Sequence, residues 1–122
     1  MKFFRLLAIG SLVSASVFIV RANTQIAVSG GDFASPFYTF HESGGAVVDI
    51  INFNLSKGET YEFTDDGVSA THPFMIGESY GDTSSPLVTG TELSGSVGST
   101  ITVSIPSDFT GELFYFLSLI HI

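Results

Sequence analysis

The chain has no cysteine and no tryptophan, and beyond its first 22 residues it carries a single cation. Without Cys there can be no disulfide, zinc thiolate cluster, iron-sulfur centre, cysteine nucleophile or thiolate-ligated copper. Lys2, Arg5 and Arg21 all precede residue 23, so residues 23–122 set only Lys57 against all twelve Asp and Glu. A body this acidic repels phosphate backbones and anionic lipid headgroups, which argues against nucleic acid and membrane surfaces as partners. The 122 residues leave room for one ordinary domain.

What is present divides into two parts. Lys2 and Arg5 form a short basic region, and residues 6–20 are an apolar stretch broken only by Gly10, Ser11, Ser14 and Ser16. Val20-Arg21-Ala22 follows with tolerable residues for cleavage. This order predicts a signal peptide over residues 1–22, a mature start near Asn23 and a secreted or periplasmic protein. The competing reading is an uncleaved anchor, but the apolar stretch is shorter than the ~20 residues a spanning helix needs. No membrane contact is expected beyond the signal itself.

Residues 23–122 are rich in Phe, Tyr, Val, Ile and Thr and poor in Ala and Lys, a composition that favours strands. Strands are expected at residues 24–29, 46–53 (AVVDIINF), 60–64 (TYEFT), 73–77 (PFMIG), 100–105 (TITVSI) and 112–119 (ELFYFLSL). Phe63, Phe74, Ile76, Ile101, Val103 and Tyr115 are the expected core. Turn chemistry separates the strands at Ser43-Gly44-Gly45, Ser56-Lys57-Gly58, Asp65-Asp66-Gly67, Asp82-Thr83-Ser84-Ser85-Pro86 and Ser107-Asp108. No helical stripe occurs. The fold class expected for residues 23–122 is all-β, an antiparallel β-sandwich. Residues 112–122 are strongly apolar and stop without a polar tail, as a chain would that is naturally short or has lost its last segment.

Three pieces occur in an order that matters. Lys57-Gly58-Glu59-Thr60-Tyr61-Glu62-Phe63 fits a KGxTYxF pattern, and His72-Pro73-Phe74-Met75-Ile76 is an HPFxI string. Ile105-Pro106 and then Gly111-Glu112-Leu113-Phe114-Tyr115-Phe116 resemble a strand of the LYYxC kind. Together, over roughly residues 52–116, they resemble the cupredoxins, small exported copper-binding Greek-key β-sandwiches, and in particular their HPFxI group. The resemblance implies copper as cofactor, electron transfer as ancestral activity, and a redox protein or the copper ion as partner. It also implies that His72 is the first copper ligand. The remaining ligands of that family lie in a C-x-x-H-x-x-M segment after the last strand. Here Leu117 stands at the Cys position and Ile120 at the second His. His121 follows one residue late, and no Met follows. His72 and His121 are therefore the candidate metal ligands, in a site whose ligand loop is degenerate or truncated.

A blue-copper centre needs a thiolate, two imidazoles and a weak axial ligand, and Leu117 cannot stand in for the thiolate. Two imidazoles alone would hold Cu(II) weakly in a tetragonal site completed by water. Blander readings exist for each residue. His72 can be a hydrogen-bonded residue at the start of a strand, sharing a face with Phe74 and Ile76. His121 can be a frayed terminal residue, His41 a surface or loop residue, and Met75 a packing residue. Asp65-Asp66-Gly67 lacks the alternation of a calcium loop, and residues 94–99 (SGSVGS) lack the Lys and helix of a phosphate loop. No G-x-S-x-G elbow is present, so an enzyme is not expected. Asn54-Leu55-Ser56 fits an N-glycosylation sequon. The alternative to a copper protein is a metal-free extracellular binding or structural module on the same sandwich.

Overall fold

The computed structural model describes residues 3–9, 23–34, 36–43, 45–50, 52–90 and 92–117. Among the described residues there is no helix, and nine strands form two sheets. In chain order the strands are β1 (Phe3–Ile9), β2 (Thr24–Gly30), β3 (Tyr38–Glu42), β4 (Asn54–Ser56) and β5 (Thr60–Val68). Then follow β6 (Phe74–Gly77), β7 (Val88–Thr89), β8 (Thr100–Ser104) and β9 (Leu113–Leu117). One sheet has the order β4-β1-β9-β6, the other β3-β2-β5-β8-β7.

Both sheets contain one parallel pair, β1 with β4 and β2 with β5, among otherwise antiparallel neighbours. The expectation of an all-antiparallel sandwich is corrected on this point. β2 and β5 are far apart in the chain, with β3 and β4 between them, so no tight hairpin fixes their direction.

Period-2 alternation explains which side chains go inside. Tyr61 and Phe63 of β5, Ile101 and Val103 of β8, and Ile26 and Val28 of β2 all point into one core. From the other sheet come Phe74 and Ile76 of β6 and Leu113, Tyr115 and Leu117 of β9. All six expected core residues are buried. The two layers meet through rings: Phe63 lies 5.7 Å from Phe74, and Phe40 lies 5.3 Å from Tyr115, centroid to centroid. The result is an all-β, sandwich-like pair of sheets.

Two expectations about local structure change. Among the described residues of 46–53 there is no strand, only a single bridge of Val47 to His41. Asp49 and Asn52 turn the chain instead. The Asn52 amide nitrogen donates to the Asp49 carbonyl at 3.1 Å, and its side chain donates to the Asp49 carboxylate at 2.7 Å. Val48 and Ile50 still reach the core, which is why the stretch reads as apolar.

Asp65-Asp66-Gly67 is not a turn between strands but lies inside β5. Val28 pairs with Asp65 and Gly30 with Val68, so β5 carries an extra residue there and bulges. Gly67 takes φ 110°, a left-handed conformation that Gly adopts without steric cost.

Of the expected leader, Phe3–Ile9 is β1, and residues 10–22 lie outside the described residues. Residues 118 and 119 of the expected last strand and the candidate ligand His121 also lie outside them. No helix among the described residues is long and apolar enough to cross a membrane.

Candidate functional site

His72 lies in a bend just before β6, two residues ahead of the strand's first position. Pro73 follows it and biases His72 away from helical backbone. The imidazole is half-buried, and its Nδ1 is 2.7 Å from the carbonyl oxygen of Gly31. A carbonyl can only accept, so Nδ1 is the donor in this contact. The ring of Phe33 packs edge-on against the imidazole with centroids 4.3 Å apart, and Phe33 itself is 60% exposed.

The loop over His72 is held under strain. Phe37 has φ 73°, an outlying conformation for an aromatic residue, yet its ring is buried. Its carbonyl accepts from the amides of Gly31 (3.0 Å) and Asp32 (2.8 Å), and its own amide donates to Ala34 at 2.8 Å. Tyr115 donates its hydroxyl to Pro36 at 3.2 Å. From below, the Tyr38 hydroxyl shares its proton between the carbonyls of His72 (3.0 Å) and Pro73 (2.9 Å). Several bonds thus over-determine a backbone that costs of order 1–3 kcal/mol to hold.

Gly31 is the closest point of the assembly. Its φ is +124°, and a Cβ there would lie 2.9 Å from the Ser69 Cβ and 3.3 Å from the His72 Cβ. Gly31→Ala should therefore destabilise the fold by about 1–3 kcal/mol. It should also displace the His72 ring, seen as a chemical-shift change at the imidazole in two-dimensional NMR. A folded variant with an unmoved ring would contradict this account.

The β6–β9 register sets Leu117 opposite Phe74, so the expected thiolate position falls on the strand next to the one that follows His72. Leu117 is buried in the core. Met75 pairs with Phe116, on the sheet face opposite to Phe74 and Ile76, and both are buried. His41, expected as a surface or loop residue, is half-buried in β3 opposite Ala27 and so lies in a strand and not in a loop. Among the described residues, no three His, Cys, Asp or Glu side chains gather as a metal-holding group. The donors on hand do not fit a blue-copper centre, because the chain has no thiolate and the described site offers one imidazole nitrogen.

The tyrosines that brace the loop are perturbed. Burial, and secondarily each other's proximity, pushes the Tyr38 hydroxyl well above the ordinary tyrosine range, and burial does the same to Tyr115. Tyr61 is also raised, mainly by burial, with the Ser56 amide opposing and Glu59 assisting. Above pH about 10 the unfolded chain loses these protons while the folded chain keeps them, so stability is full below that pH and falls above it. Alkaline titration should show tyrosinate absorbance for these residues rising together with loss of sheet circular dichroism. Ionisation at pH 10 with the sheet intact would refute the assignment.

Gly31 and Phe33 carried no chemical signal of their own in the sequence. A backbone carbonyl 41 positions away from its imidazole partner leaves no motif. Comparison with protein-family models, curated proteins and solved structures gives no match to this chain.

Proposed function

We propose that the protein is an exported cupredoxin-like domain whose copper centre is degenerate, keeping one imidazole of the ligand set and lacking the thiolate. The observation that carries this reading is the Nδ1 bond of His72 to the Gly31 carbonyl, next to a strand pair that sets Leu117 opposite Phe74. Metal-binding histidines are oriented in this way, one ring nitrogen donating to a carbonyl so that the other faces the ion. On this reading electron transfer is ancestral. What this chain retains is weak Cu(II) binding through the Nε2 of His72, with His121 as the second candidate ligand. Catalysis is not part of the proposal.

A second reading is favoured by the same bond. An imidazole satisfied by a backbone carbonyl and packed on Phe33 already has a structural reason to be there. The protein would then be a metal-free extracellular binding or structural module.

Titrating Cu(II) into the full chain and into His72→Ala separates the two. The copper reading expects a pale complex without an intense charge-transfer band, and at least about tenfold weaker binding in the variant, worth roughly 1.4 kcal/mol. Equal affinities would assign His72 to structure alone.

A further inference from the structure

We propose that the slot between β9 and β4 is a strand-acceptor site, and that its occupant is the chain's own Phe3–Ile9. The targeting segment is thereby a strand of the folded, uncut chain. The strand pairing is independent of the copper reading, and naming the segment a leader rests on the export reading.

The slot is interior to its sheet. Phe3, Phe4, Arg5 and Leu6 pair antiparallel with Phe116, Tyr115, Phe114 and Leu113, and Leu7, Ala8 and Ile9 pair parallel with Asn54, Leu55 and Ser56. The two sets of pairs use successive parts of one segment, so a single extended peptide closes both gaps. Among the described residues β4 has no other neighbour in the sheet, and without β1 it would be cut off from β9.

The acceptor strand demands an occupant. Leu113–Leu117 contains no charge, Pro or Gly, and Leu113, Tyr115, Phe116 and Leu117 are all buried. Left bare, that edge would present unpaired backbone donors and acceptors on an apolar strand, the arrangement that native sheets avoid. This is β-augmentation, in which backbone bonds hold the peptide.

The inference has a consequence for export. A leader is read by the export apparatus as a free segment, so folding of the uncut chain and its targeting compete for the same seven residues.

Hydrogen exchange on the full 122-residue chain tests the slot. Amides of residues 3–9 should exchange at least about 100-fold more slowly than in the free peptide. Free-peptide rates there, with Thr60–Val68 and Thr100–Ser104 still protected, would overturn the proposal. So would protection of Leu113–Leu117 without residues 3–9 in a dimeric chain, which would give the slot to a second copy. Pro cannot sit in an interior strand, so Leu6→Pro in the full chain should expose Leu113–Leu117 while leaving Thr60–Val68 slow. A synthetic peptide of Phe3–Ile9 added in excess should restore that protection, whereas the same peptide with Leu6→Pro should not. Failure of the peptide to rescue a folded variant would show that the slot accepts nothing in trans. If Leu6→Pro unfolds the chain, the exchange of residues 3–9 in the unaltered protein decides alone.

Discussion

Phe74→Ala should lower the free energy of unfolding by about 3–5 kcal/mol, the range for removing a large aromatic from a packed core. Phe74 is fully buried at the start of β6, and its ring meets Tyr38 at 5.1 Å, Phe63 at 5.7 Å, Phe40 at 5.8 Å and Tyr115 at 5.8 Å. These partners come from both sheets, so the ring fills the space where the layers meet. Truncation removes the transfer free energy of the ring and leaves a cavity that rigid aromatic neighbours close poorly. Domains of this size are stable by only about 5–15 kcal/mol, so the loss would be a large share of the whole. Urea unfolding followed by circular dichroism checks it. Phe74→Leu, which keeps most of the volume, should lose markedly less. Equal losses for the two variants would show that the site is not close-packed.

Asp65→Ala should cost about 2–4 kcal/mol, which is unusual for deleting one small acidic side chain. The residue is 1% exposed and its carboxylate has three backbone donors. Oδ1 accepts from the amides of Gly67 (3.0 Å) and Val68 (2.9 Å), and Oδ2 accepts from Gly95 at 2.7 Å. Its main chain also binds the 95–99 loop, donating to Ser99 and accepting from Gly98. Removing the carboxylate breaks three charge-assisted backbone bonds and leaves the N–H of Val68, a buried residue, without its partner, while Gly67 and Gly95 are exposed residues. Asp65→Asn makes the argument sharper. Its one oxygen could serve Gly67 and Val68, but its amide would then face the Gly95 N–H donor to donor. The expected order of stability in urea is therefore wild type, then Asn, then Ala. An Asn variant as stable as the wild type would mean that the Gly95 bond contributes nothing.

Much of this arrangement was legible beforehand, and the reasons for the rest are physical. Tyr61 and Phe63, or Ile101 and Val103, announce their strands because alternation is a local property. The buried role of Asp65 was present in the same alternation, two residues beyond Phe63, but Asp-Asp-Gly is also strong turn chemistry and concealed it. Residues 46–53 failed in the opposite sense: an apolar run suggested a strand, while Asp49 and Asn52 had already bonded to each other. The run containing Tyr38 and Phe40 is a strand paired with β2, a partner that the run itself does not announce. At the candidate site, His72 and the position of Leu117 could be named from motif order. The contacts that define the imidazole come from Gly31 and Phe33, and long-range partners of that kind leave no local trace.

The position of β9 has a kinetic consequence. It is the last strand described in the chain, yet it lies inside its sheet between β1 and β6, and its Tyr115 lies against Phe40 and Phe74. The pairing of β2 with β5 likewise joins Ile26 to Phe63 across a long intervening stretch. Sheets dominated by such distant pairings fold on the order of milliseconds to seconds. While the chain emerges from the ribosome, the aromatic cluster therefore has no lid until residues 113–117 have been synthesised. Slow closure leaves Phe63 and Phe74 open to water and to other chains for that interval.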